Sequence, residues 1–129
     1  MADFFERVKK GLDKGLNTVS VKSKEVIETT RINSQIGGLK DDIAKVQREL
    51  GEVVYEMNLQ GALDQSRIQE KCDAITGLKQ QIQAKEAELN AVREQAAEEL
   101  GQAICPNCKT IIPEGTKFCG KCGTKVGGE

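Results

Sequence analysis

The sequence predicts a mainly α protein. It has an amphipathic N-terminal helix, an antiparallel coiled-coil helical hairpin and a small C-terminal module bound by cysteines. Three observations predict this. Residues 1–103 contain no proline, and both prolines, Pro106 and Pro113, lie beyond them. That shift marks a domain boundary near Gly101. Ile32, Ile36, Leu39, Ile43, Val46, Leu50, Val53 and Met57 recur in alternating steps of four and three, the seam of a coiled coil. Four of the five cysteines fall in two tight pairs after the boundary. Composition agrees: Phe4, Phe5, Tyr55 and Phe118 are the only aromatic residues among 129, and 30% are charged. A chain so poor in large side chains suits helices that bury narrow seams, and not a thick core.

The first element is an amphipathic helix over residues 1–31. On a helical wheel, Met1, Phe4, Phe5, Val8, Leu12, Leu16, Val19, Val26 and Ile27 share one face about 140° wide. Val21 points away from it. Lys9 and Lys22 sit at its edges, where long stems cover apolar surface while the ammonium stays wet. Glu6, Arg7, Lys10, Asp13, Lys14, Lys24, Glu25 and Glu28 occupy the opposite face. The seam that begins at Ile32 points nearly the opposite way, so one straight helix cannot offer both stripes to one partner. Either the chain bends within residues 29–38, or the N-terminal face has its own partner. Thr29, Thr30, Asn33, Ser34, Gly37 and Gly38 are weak helix formers, which makes a hinge cheap there.

Residues 32–103 read as the hairpin, with its turn near 58–66. Gly61 suits a helix C-cap. Asp64 or Ser66 suits the next N-cap, and Ser66 with Gln69 has the capping-box pattern. In the second arm Ile75, Leu78, Ile82, Leu89, Val92 and Ala96 follow steps of three and four, with Lys85 interrupting. A short break between two seams of similar length predicts an antiparallel pair with arms of about 40–55 Å. One continuous parallel coiled coil is the competing arrangement.

Residues 104–126 form the last module, and 127–129 a frayed tail. Cys105-Pro106-Asn107-Cys108 precedes Cys119-Gly120-Lys121-Cys122 with ten residues between. Two residues between thiolates let one tight turn present both sulfurs to an ion, and the insert is long enough to bring the second turn opposite the first. Four thiolates suit one tetrahedral Zn²⁺. They close the site, so the zinc is expected to be structural and not catalytic. An iron-bearing, rubredoxin-like centre uses the same donors, but the compact insert and scarce aromatics favour zinc. Ile111, Ile112 and Phe118 are the bulky residues available for a miniature core. It is too small to fold alone, so metal binding is expected to supply most of the folding free energy.

On these motifs, residues 105–123 resemble the zinc-ribbon modules found at chain ends in many bacterial proteins. The whole chain is similar to small bacterial proteins that join an N-terminal helical region to a C-terminal zinc ribbon. The resemblance implies a small β zinc ribbon and assigns Cys105, Cys108, Cys119 and Cys122 as the metal ligands. Lys109 departs from the glycine that many such knuckles carry after the second cysteine. Gly123 supplies it in the other knuckle.

The same residues bound the function. With no histidine, Ser-His-Asp and Cys-His catalysis are out of reach, and no catalytic or cofactor-binding constellation stands out. Asp41-Asp42 and Glu98-Glu99 read as solvated faces, and Cys72 as a small buried apolar residue. The net charge of −1 provides no basic field for nucleic acid. The ribbon's excess of lysine is offset by the negative thiolate centre. No apolar run exceeds three residues, so no membrane span is expected. No export signal is read at the N-terminus, which predicts reduced thiols and a cytoplasmic location. The leading expectation is a non-enzymatic zinc-binding adaptor or assembly protein. Its hairpin would serve self-association or partner docking and its ribbon protein contact. The first alternative is a protein held at the inner face of a membrane by residues 1–31. The second is nucleic-acid binding through the ribbon. The N-terminal stripe is expected to pack on the hairpin or on another copy of the chain, with a membrane or a partner protein as the alternative.

Overall fold

The computed structural model describes residues 2–127, apart from the side chain of Lys14. Met1 of the predicted stripe, and Gly128 and Glu129 of the predicted tail, lie outside the described residues. Helix α1 spans Ala2–Gln60 and helix α2 spans Gln65–Leu100. Two short strands follow, β1 (Ala103–Ile104) and β2 (Ile111–Ile112). At 1.5 Å per residue the helices are about 90 and 54 Å long. The fold is a helical hairpin followed by a small antiparallel β region.

The turn between the helices is built from the predicted residues. Gly61 has φ +71°. Its N–H donates to the Asn58 carbonyl at 3.2 Å, and the Ala62 N–H donates to the Met57 carbonyl at 3.1 Å. This is a Schellman motif, whose left-handed residue glycine adopts without steric cost. The Asp64 carboxylate accepts from the Ser66 N–H at 3.0 Å, so Asp64 is the N-cap of α2. The capping box of Ser66 and Gln69 does not form. Gln69 donates instead to Asp73, one helical turn on, at 2.8 Å. Beneath the turn the Met57 side chain is 1% exposed, and its sulfur accepts from the Asp64 N–H.

The structure divides into two units. The first is Arg31–Glu88, which contains the turn. There Ile32, Ile36 and Met57 are buried and Leu39, Ile43, Val46, Leu50 and Val53 half-buried, so the predicted seam is the protected side of α1. Ile75, Leu78 and Ile82 of α2 are half-buried, as are Ile68 and Cys72. Cys72 thus sits on the seam, as a small apolar residue would. Lys71 pairs with Glu49 at 2.9 Å, and Arg31 with Glu88 at 3.3 Å. Partner numbers rise on one helix as they fall on the other, the mark of an antiparallel pair. The Lys71 hydrogen bond and charge hold the Glu49 carboxyl below its usual range. Lys85, then Arg31, do the same for Glu88. These surface pairs set register more than stability.

The second unit takes the described residues of Met1–Thr30 and Leu89–Glu129. Here Leu89, Ala96 and Ala97 of α2 are buried and Val92 is half-buried. Glu25 of α1 faces Arg93 at 3.9 Å. The side of α1 turned to α2 carries Val21, Glu25 and Glu28, with Thr29 buried. Val21, the exception to the apolar stripe, therefore belongs to the packed side. The stripe itself does not pack on α2. Phe4, Phe5, Val8, Leu12, Leu16, Val19, Val26 and Ile27 are 44–69% exposed.

Helix α1 is continuous through residues 29–38, despite six weak helix formers. The Thr29 hydroxyl donates to the Val26 carbonyl at 3.1 Å, and Ile32 and Ile36 are buried. Burial along one face outweighs propensities of a few tenths of a kcal/mol per residue, about 1 for glycine. The helix is unbroken between the two opposed stripes, and the N-terminal stripe is exposed.

Candidate metal centre

Helix α2 ends in the same way as α1. Gly101 has φ +64°, its N–H donates to Glu98, and the Gln102 N–H donates to Ala97 at 2.8 Å. This Schellman cap turns the chain sharply into β1. Strand β1 pairs antiparallel with β2, Ala103 opposite Ile112 and Ile104 opposite Ile111. The hairpin between them carries the first cysteine pair. A single antiparallel bridge between Phe118 and Lys125 closes the loop that carries the second pair.

The two knuckles are near copies. In the first, the Lys109 N–H donates to the Cys105 carbonyl and the Cys105 N–H to the Thr110 carbonyl, both at 2.9 Å. In the second, the Gly123 N–H donates to the Cys119 carbonyl at 2.9 Å, and the Cys119 N–H to the Thr124 carbonyl at 2.8 Å. Each turn needs a positive φ at the residue after its second cysteine: +76° at Gly123 and +62° at Lys109. Lys109 is the only non-glycine residue in that region among the described residues. The departure noted in the sequence is thus a local strain, carried because the ladder on both sides fixes the turn.

The knuckles bring the four sulfurs together, with all Sγ atoms within 4.8 Å of one another. Cys105 lies 3.6 Å from Cys122, and Cys108 lies 3.6 Å from Cys119. Thiolates about 2.3 Å from a tetrahedral Zn²⁺ stand about 3.8 Å apart, so the cage fits. Donor chemistry agrees: four sulfurs and no carboxylate leave no position for water. Cys105 and Cys119 are buried, Cys108 half-buried and Cys122 exposed. Cys105, Ile112 and Cys119 form the core of the module, with Cys108 and Val126 packed on it. Phe118 was expected in that core, but it is 61% exposed. Its neighbour Cys119 points to the metal cage, and alternation along an extended chain turns Phe118 the other way. Val126 fills the place instead. Gly127 is tied in as well, its N–H donating to the Lys117 carbonyl at 3.1 Å.

Hydrogen bonding prepares the thiols unequally. The Thr124 hydroxyl lies 3.1 Å from the Cys122 sulfur. With the Thr124 N–H, it pulls that thiol down to about 5. The Thr110 hydroxyl, 3.2 Å from Cys108, and then its N–H lower Cys108 in the same sense. At Cys105 the backbone N–H groups of Cys108 and Asn107 also lower the thiol, but burial and the adjoining thiols outweigh them and it ends above its ordinary value. Cys122, at the exposed rim of the cage, is ready to ligate at neutral pH, whereas Cys105 gives up a proton on binding. Asn107 donates to the Thr124 hydroxyl at 3.0 Å, orienting it across from the other knuckle.

All four sequence-predicted ligands therefore meet at one point. Thr110, Thr124 and Asn107 were missed. The sequence does hold a signal for the threonines: each knuckle reads Cys-x-x-Cys-x-Thr, a repeat visible once the two are aligned. Cys72 lies outside the cluster, which is the only grouping of potential metal ligands among the described residues. Residues 104–126 match the family model of the zinc-ribbon domain. No curated protein and no solved structure matches the chain.

Proposed function

We infer that the protein is a non-enzymatic, zinc-binding docking and assembly protein. The observation that carries this reading is the apolar face of α1 from Phe4 to Ile27, which is exposed throughout, while the other side of the helix packs against α2 only from Val21 onward. Large exposed apolar patches on folded proteins mark places where something else binds. The metal-stabilised ribbon follows directly from the end of α2. The zinc acts by holding the ribbon's shape. Its four thiolates supply no open coordination site, and no histidine is available as a general base. Reduced thiols throughout fit a cytoplasmic setting.

Leu12→Asp with Leu16→Asp tests this reading. Both side chains are exposed, so the double variant should keep its helix content and its zinc. It should lose whatever association the wild-type chain shows, whether with itself, as read by light scattering across concentration, or with an added surface. Unchanged association would overturn the reading.

A further inference from the structure

We propose that the exposed face of α1 lies in the interface of an anionic lipid bilayer, parallel to its surface. This rests on the docking reading above and names the occupant. Two observations choose lipid over a protein partner.

The first is charge. Within the apolar sector of about 140° there is no carboxylate; Asp3, Glu6, Asp13, Glu25 and Glu28 all fall outside it. Lys22 borders one edge and Lys9 the other. Lys121 of the ribbon lines the same surface cleft as Lys22 and adds a cation on that edge. An apolar face flanked by lysines suits acyl chains below and phosphate headgroups at the sides. The second is size. A face about 140° wide exceeds the narrow seam of a two-helix contact, and among the described residues no helix is long and apolar enough to cross a membrane. Lying on the surface is the geometry that remains for a lipid contact. Phe4 and Phe5, edge to face at 6.1 Å, bring two bulky rings to the tip.

Co-sedimentation of the full zinc-loaded chain with vesicles tests this. Vesicles of phosphatidylcholine with a quarter phosphatidylglycerol should pellet the protein. Pure phosphatidylcholine should retain it several-fold less. Leu12→Asp/Leu16→Asp should weaken binding to the anionic vesicles at least about tenfold, and Lys9→Glu/Lys22→Glu about tenfold. High salt should weaken binding without abolishing it, because the apolar face remains. No pelleting of the wild type with either vesicle overturns the lipid assignment, as does equal binding by the leucine variant. Light scattering in the same samples separates the two readings. Self-association that the leucine variant abolishes, without vesicle binding, leaves the docking reading standing with a second copy as occupant. The absence of both overturns the docking reading too.

Discussion

The helices and the ribbon keep their shapes by opposite means. From Ile32 to Met57, α1 spreads its stabilisation over eight apolar side chains, none of them large. The ribbon has one fully apolar buried residue, Ile112, beside two buried cysteines. Its remaining stability is concentrated at the point where four sulfurs meet. A distributed seam tolerates weak local choices, and for that reason α1 stays helical through Gly37 and Gly38. A concentrated site does not, and each knuckle needs its positive-φ residue and its threonine. The lesson is that damage in the two regions should follow different rules.

The largest test of that contrast is Cys119→Ser. Loss of one ligand forfeits most of a zinc contribution on the order of 10 kcal/mol. Residues 104–126 should unfold while the far-UV signal of the helices stays nearly intact. Zinc release measured with a chromogenic chelator, beside circular dichroism, checks this. Helices that unfold in step with the ribbon would break the contrast.

Ile32→Asp reverses the experiment. Ile32 is fully buried, and a carboxylate there should cost about 3–4 kcal/mol. Urea denaturation followed at 222 nm should show the loss, with zinc still bound.

Thr124→Val sharpens the account of the site. The Thr124 hydroxyl is the foremost cause holding Cys122 at about 5, so wild-type Cys122 is a thiolate at pH 6. Without the hydroxyl, the thiol rises toward its ordinary value, and at pH 6 zinc must displace a proton. Zinc affinity should fall about tenfold at pH 6 and less at pH 8. A loss independent of pH would assign Thr124 a packing role.

The smallest effect is Lys109→Gly. It relieves a left-handed lysine at φ +62° and should raise ribbon stability by about 1 kcal/mol. Metal-competition titration is sensitive enough to read it.

Much of this was legible in the sequence because it rests on local rules. Gly61 and Gly101 end helices where their freedom is needed, the heptads name the seam, and cysteine spacing names the cage. The rest was set by tertiary context. Continuity of α1 through Thr29, Asn33 and Gly37 depends on burial of Ile32 and Ile36, which propensity does not count. Of the two N-caps the sequence offered, Asp64 supplies the cap, although the Ser66–Gln69 pattern pointed two residues later. Phe118 looked like core material by size, but its outward direction follows from Cys119 beside it. Val21 looked like an outlier on the wheel, and it belongs to the face that meets α2.

The central claim is that the zinc is enclosed by sulfur and holds shape without doing chemistry. X-ray absorption at the zinc edge of the purified full chain tests it most directly. Four sulfur scatterers at about 2.3 Å, with no nitrogen or oxygen, are the predicted result. A shell of three sulfurs with an oxygen near 2.0 Å would reveal an open, water-bearing position and contradict the claim.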